Sequence, residues 1–160
     1  MKRTPAGSGR ILALFLSPGR GQAMQSCPEV QAQKEHGLEG DAHARPGGSR
    51  QVLLLDAETL QEFGLEPGVL KENITTQGVR LEQIPPGSRL RAGQALLEIT
   101  KDCAPCGFVD AVQSGLQQRI GGRRGQLARV VEGGRIGVGD PIQVLTEDRL
   151  SPRGSRTPGP

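Results

Sequence analysis

The chain contains no tryptophan and no tyrosine, and only three phenylalanines among 160 residues. Its core must therefore be assembled from Leu, Val, Ile and Ala. Single-stranded nucleic acid is held by stacking bases on aromatic rings, so this partner is not expected. Cysteine is scarce too. Cys27, Cys103 and Cys106 are too few, and odd in number, for a disulfide-stapled secreted scaffold. No apolar run approaches the roughly 20 residues of a membrane-spanning helix. Met1-Lys-Arg3 followed by Ile11-Leu-Ala-Leu-Phe-Leu16 mimics a signal peptide. The apolar run is too short for one, however, and Ser17-Pro-Gly19 stops it, so a first strand is the better reading. These absences lead us to expect a soluble protein of the reducing cytoplasm, with no membrane partner. The Asn73-Ile-Thr75 sequon then carries no glycan.

What is abundant is chain punctuation: 24 glycines and 12 prolines. Many turns and few long helices follow, which favours a mainly β domain of short elements. The net charge of +3 is mild and suits a phosphate-bearing ligand better than a polyanion. Residues 1–9 read as a flexible N-terminus and 10–147 as one domain. Residues 148–160 lack an apolar pattern and read as a disordered tail.

Strands are expected over residues 10–16, 51–55, 74–76, 95–100 and 127–131. Ser17 to Pro28 reads as a loop. Asp56 is placed to cap a short helix over residues 57–63, with Gly64 as its stop. Gln77-Gly78 reads as a turn, and residues 107–120 as one helix. Gly87-Ser-Arg-Leu-Arg-Ala-Gly-Gln-Ala-Leu96 and Gly133-Gly-Arg-Ile-Gly-Val-Gly-Asp-Pro-Ile142 share Gly, Arg and aliphatic residues at the same offsets. Each predicts a tight strand–turn–strand unit. Such glycine-bent strands suit a barrel.

The chemistry is expected where strand 95–100 runs into Cys103-Ala-Pro-Cys106. Two thiols at this spacing can join a zinc site, form a thioredoxin-like dithiol pair, or supply one soft thiolate that binds molybdenum or carries a persulfide. Zinc would need Cys27, His36 and His43 at irregular spacing. The dithiol reading lacks the βαβ surroundings it requires. Two small buried hydrophobes are the bland alternative, but the polar flank Thr100-Lys-Asp102 argues for an accessible site. Three further groups are either ligand contacts or plain turns; the first two suit an anion, the third a cofactor hydrogen bond. Gly37-Leu-Glu-Gly-Asp41-Ala-His43 offers exposed backbone N–H groups, an imidazole and an orienting carboxylate. Arg123-Arg124 between glycines offers paired guanidiniums. Glu72-Asn73 is a polar pair opening a strand.

Taken in order, Gly37–His43, Arg50-Gln-Val-Leu-Leu-Leu55, Glu72-Asn-Ile-Thr-Thr76, Cys103–Cys106, Gly122-Arg-Arg-Gly125 and Gly133–Asp140 resemble the MOSC domain, the C-terminal domain of molybdenum cofactor sulfurases. The resemblance spans about residues 10–146 and is to small stand-alone bacterial members. It implies a barrel-like β fold that handles molybdenum cofactor (molybdopterin). By motif position, Cys106 is the thiolate that ligates molybdenum or carries sulfur, with Cys103 as a supporting thiol. His43, Asp41, Arg50, Asn73, Arg123 and Arg124 would surround the pterin and its phosphate. Met24 stands in a loop where a Lys is frequent, and Lys71 where a Gly commonly precedes Glu-Asn. The resemblance leaves several activities open. One is sulfur carriage, with a partner such as a cysteine desulfurase bearing the pyridoxal phosphate. Another is a molybdenum-dependent reductase for N-hydroxylated compounds, fed by an electron-donor protein. A third is a non-catalytic carrier that hands cofactor to an apo-molybdoenzyme.

Overall fold

The computed structural model describes residues 7–19, 21–104 and 107–145. Seven strands close a mixed barrel. They are β1 (Gly7–Leu16), β5 (Val52–Asp56), β6 (Ile74–Val79), β7 (Arg89–Ala92), β8 (Ala95–Asp102), β9 (Gln126–Glu132) and β11 (Pro141–Leu145). Their order is β11-β7-β8-β9-β5-β6-β1, and β11 pairs back onto β1. Only β5 and β6 run parallel, because α1 (Ala57–Glu62) and the chain after it cross between them. A short β2 (Gln25–Cys27) extends the sheet beyond β1. A second sheet joins β3 (Glu29–Gln33), β4 (Gly37–Leu38) and β10 (Gly134–Gly137). The expected mainly β barrel with a few short helices is what forms.

The barrel interior is aliphatic, as the composition requires. Ile11, Leu14, Leu54, Ile74, Leu90, Leu97, Ile99, Val130 and Ile142 belong to one buried cluster. Strand β5 is buried along its whole length, which explains its unbroken apolar run. Its outward Leu55 packs in a second cluster with Leu60 of α1, Leu70, Val109 of α2 (Gly107–Val112), and Leu116 and Ile120 of α3 (Leu116–Ile120). The helices thus cover one outer flank. Strands β1 and β6 press together so closely that a Cβ on Gly9 would lie 2.0 Å from the Gln77 carbonyl oxygen. Glycine is required there by space.

Several local expectations need correction. β1 begins at Gly7, and the segment read as a loop after it contains β2. Gln77-Gly78 lies within β6, where β1 and β6 shift register. The single helix over 107–120 is two. Apolar spacing runs on through Val109, Val112, Leu116 and Ile120, but Gly115 adopts a left-handed φ of +79° and breaks the ladder. The two similar Gly/Arg segments also diverge. β7 and β8 form a hairpin, whereas β10 pairs with β3 and β11 with β7 and β1. Asp56 does cap α1, accepting from Thr59 N at 3.0 Å and Thr59 Oγ1 at 2.8 Å. Among the described residues, no helix is long and apolar enough to cross a membrane. The tail 148–160 lies outside the described residues.

Candidate functional site

The thiol segment leaves the barrel at the end of β8. Cys103 N donates to Gly125 O at 2.9 Å, and Gln126 Nε2 donates to Asp102 Oδ1 at 2.7 Å. These bonds close the base of an excursion, residues 103–125, that carries α2 and α3. The chain re-enters through Gly125 at φ +128°, where a Cβ would sit 2.7 Å from the Leu54 carbonyl oxygen. Cys103 is buried and packs with Leu53 and Leu127 on the outer face of the sheet. The polar flank suggested exposure, and Lys101, Asp102 and Ala104 are exposed, but Cys103 among them turns inward. Cys106, the expected thiolate, lies outside the described residues, between Ala104 and Gly107.

Next to Leu53 stands a buried polar network. Asn73 Oδ1 accepts from Leu53 N at 3.0 Å. Its Nδ2 donates to Phe15 O and to Asp41 Oδ1, each at 3.1 Å. Both amide protons are thereby engaged. Asn73 ties β1, β5 and the glycine-rich segment together and orients the wall of the site. Asp41 Oδ1 also accepts from Ser17 N at 2.7 Å, and Oδ2 from His43 N at 3.1 Å. Burial pushes the Asp41 carboxyl up. Hydrogen bonds from the His43 ring, Ser17 N–H and His43 N–H outweigh it and hold the group below its ordinary value. Asp41 Oδ2 lies 3.5 Å from His43 Nδ1, and the His43 side chain is 56% exposed.

His43 lines an open pocket of about 360 Å³ with Arg45, Gly48, Ser49 and Arg50. The Thr100 hydroxyl lies 2.5 Å from Ser49 O and 3.1 Å from Leu127 O. Leu127 in turn packs on Cys103. The pocket loop is therefore anchored a few contacts from the thiol segment. Among the described residues, neither Arg45 nor Arg50 has a carboxylate partner, although other arginines do. Sequence reasoning singled out His43 and Arg50 but not Arg45, which lines the same pocket. Its only signal was a place in the loop Arg45-Pro-Gly-Gly-Ser-Arg50.

Arg123 and Arg124, expected to act together, part company. Arg123 forks onto Glu62 at 2.5 and 3.1 Å and stands 5.2 Å from the Phe63 ring. Its guanidinium belongs to α1, at a separate cleft with Asp56, Glu58 and Glu82. Arg124 is buried, and its Nε and Nη1 have no hydrogen-bond partner among the described residues. Its charge acts on Glu72, which is wholly buried. Glu72 Oε2 accepts from Gly68 N and Thr75 Oγ1, each at 2.8 Å, while Oε1 has no partner. Burial pushes the Glu72 carboxyl up, beyond what these bonds and Arg124 pull down. Thr76 Oγ1 and Gln126 Oε1 are also buried without partners. Buried polar groups are nearly always paired, so each of these atoms is an exception.

Lys71 spans the neighbourhood from a left-handed backbone, φ +70°. Its ammonium donates to Gln22 O at 2.7 Å and stands 5.7 Å from the Phe108 ring of α2. It thus links the loop containing Met24 to the helix that follows the thiols. No set of three His, Cys, Asp or Glu side chains among the described residues is arranged to hold a metal ion. Cys27 is half-buried in β2, where burial raises its thiol, and it forms no cluster with the histidines.

A closed mixed barrel with short helices covering one outer flank defines a single β-barrel domain. The chain belongs to the MOSC domain family, which matches residues 41–143. This family is associated with molybdenum cofactor. Among solved structures, the YuaD protein from Bacillus subtilis is similar at 18% identity and a TM-score of 0.73, over 86% of this chain and 95% of that one. YiiM from Geobacillus stearothermophilus is similar at 19% identity and a TM-score of 0.69, over 86% and 75%. YiiM from Escherichia coli is similar at 22% identity and a TM-score of 0.63, over 86% and 70%. These likenesses establish the fold. No curated protein matches the chain.

Proposed function

We propose that this protein binds molybdenum cofactor, with Cys106 as the thiolate that ligates molybdenum or carries sulfur toward it. The observation that carries the reading is Arg124. It is a buried guanidinium with two unpaired N–H-bearing atoms, at the mouth of the excursion that bears both thiols. Burying a cation without compensation is costly, and an anionic phosphate would compensate it. The donor set fits the group: a cation for the phosphate, buried acceptors at Glu72, Thr76 and Gln126, and a soft sulfur ligand for the metal.

In this reading Arg124 holds the phosphate. Asn73 and Asp41 act indirectly, by fixing the wall that presents His43. Cys103 supports the Cys106 segment from the apolar floor with Leu53 and Leu127. Arg123 contributes only if it leaves Glu62. The bound cofactor would supply a metal centre able to exchange sulfur. A persulfide on Cys106 would form when its thiolate attacks the sulfane sulfur of a partner's persulfide, releasing the partner's thiolate. A desulfurase that carries its own pyridoxal phosphate is the partner class this requires.

The test is expression in a host that makes the cofactor, followed by metal analysis. Stoichiometric molybdenum that disappears in Cys106→Ser is expected, together with a trappable extra sulfur on Cys106 in cofactor-free protein. Unchanged molybdenum in Cys106→Ser would remove that residue from the role.

A further inference from the structure

We infer that the cleft beside α1, walled by Asp56, Glu58, Glu62 and Glu82, is a binding site for a small organic cation that carries an ammonium or guanidinium group. The inference does not depend on the molybdenum reading. The cleft encloses about 420 Å³, which is within the range of small-molecule sites. Besides the four carboxylates it is lined by two guanidiniums, Arg80 and Arg123. Glu62 is taken by Arg123, which leaves Asp56, Glu58 and Glu82 against Arg80 alone. On a chain of net charge +3 this is a locally negative hollow. Among the described residues none of those three carboxylates has a basic partner, whereas Glu29, Glu35, Glu98 and Glu132 each do.

Asp56 is the observation that points to a ligand. It is only 5% exposed, and a carboxylate so buried needs hydrogen bonds or a counter-charge. Its Oδ2 accepts from Thr59 N and Thr59 Oγ1. Its Oδ1 accepts from nothing among the described residues. Residues two apart on a strand share a face, so Asp56 follows the interior Leu54 and sets its carboxyl at the barrel end. Val79, another member of the interior cluster, lines the same cleft. One wall is held by Glu58 Oε2, which accepts from Gly78 N at 2.8 Å. Arg123 shows the chemistry this place accepts: a planar cation forked onto a carboxylate, 5.2 Å from the Phe63 ring. The Glu62 hydrogen bonds raise the Arg123 value; burial opposes them, and the charges of Glu62, Glu82 and Asp56 add to the rise. Asp56 and Glu82 therefore already act on one guanidinium here. A bare metal ion is a poor match, because no three acidic side chains among the described residues converge on one point. Carboxylates spread around a hollow suit instead a cation with several N–H donors.

The test uses the full chain, purified from a host unable to make the cofactor, so its outcome is separate from molybdenum binding. Putrescine is titrated in one arm, agmatine in a second and magnesium chloride in a third. Binding is followed by the side-chain carboxyl NMR signals. We expect saturable shifts of Asp56 and Glu82 with at least one amine, and the tighter arm identifies the head group. Magnesium should give no saturable shift. Asp56→Asn keeps a capping oxygen for Thr59 while removing the charge. Combined with Glu82→Gln it should weaken binding about 10- to 100-fold. Glu82 is exposed, so Glu82→Gln alone keeps the fold and should already weaken binding. Glu132→Gln, at an ion pair elsewhere on the surface, should leave the affinity where it was. Non-saturable shifts with both amines would overturn the proposal. So would saturable magnesium binding at the same carboxylates, or an affinity that Glu82→Gln spares.

Discussion

On the flank built from β7, β8, β9 and β10, every arginine has a carboxylate. Arg89 meets Glu98 at 3.1 Å, Arg91 meets Glu132 at 3.2 Å and Arg135 meets Glu29 at 2.6 Å. Arg129 reaches Glu98 at 3.3 Å and also pairs with Glu35. Around the thiol segment the pattern is mixed, for Arg123 is paired with Glu62 but its neighbours are not. Arg45, Arg50 and Arg124 have no carboxylate partner among the described residues, and Arg124 is buried as well. Pairing is the ordinary way to quiet surface charge, and it contributes little to stability. An unpaired buried guanidinium is a standing cost, which persists only where a ligand or another role offsets it. In the proposed reading the first group is scaffold, and the second is where an anion would bind.

The sharpest way to break this contrast is to remove the buried charges. Arg124→Met with Glu72→Gln should raise the stability of the cofactor-free protein, by about 1–4 kcal/mol, while reducing cofactor retention. The gain should depend on pH. Glu72 has a raised value in the folded state, so the folded protein holds its proton longer than the unfolded chain does. Wild-type stability from this group is then lost as pH climbs from about 4.3 through the folded value. Urea unfolding should accordingly show a larger gain at about pH 8 than at about pH 5. A double variant that unfolds more easily would make Arg124 a structural residue.

Asp41→Ala comes next. It strands Ser17 N, His43 N and one Asn73 amide proton, and should cost on the order of 3 kcal/mol. Because the folded-state value of Asp41 is lowered, its contribution is present above about pH 4 and fades as pH falls through the folded value. Wild type and variant should therefore converge in acid, as measured by denaturant midpoints. Thr100→Val should cost about 1 kcal/mol and speed amide exchange in residues 45–50, sharpening the claim that this loop is pinned. Arg91→Ala, on the paired flank, should cost less than about 1 kcal/mol, and less still in high salt.

Much of the scaffold was legible because it follows from local chemistry. The unbroken apolar run of β5 announced a strand, and Asp56 before an apolar-periodic stretch announced a helix start. What was hidden depends on neighbours distant in sequence. Adjacent Arg123 and Arg124 look alike as residues, yet one finds Glu62 across 61 positions and the other is sealed beside Glu72. Cys103 follows exposed residues but turns onto Leu53 and Leu127. Asn73 looked like a ligand donor because nothing in the sequence reveals that Phe15, Leu53 and Asp41 engage its whole amide. Arg45 carried no motif, and only the cavity brings it beside His43 and Arg50.

Native mass spectrometry of the protein purified from a cofactor-making host tests the central claim most directly. The account predicts a molybdenum-bearing pterin adduct on the wild-type chain and its loss from Arg124→Gln. A bare wild-type chain, or the same adduct on both proteins, would contradict it.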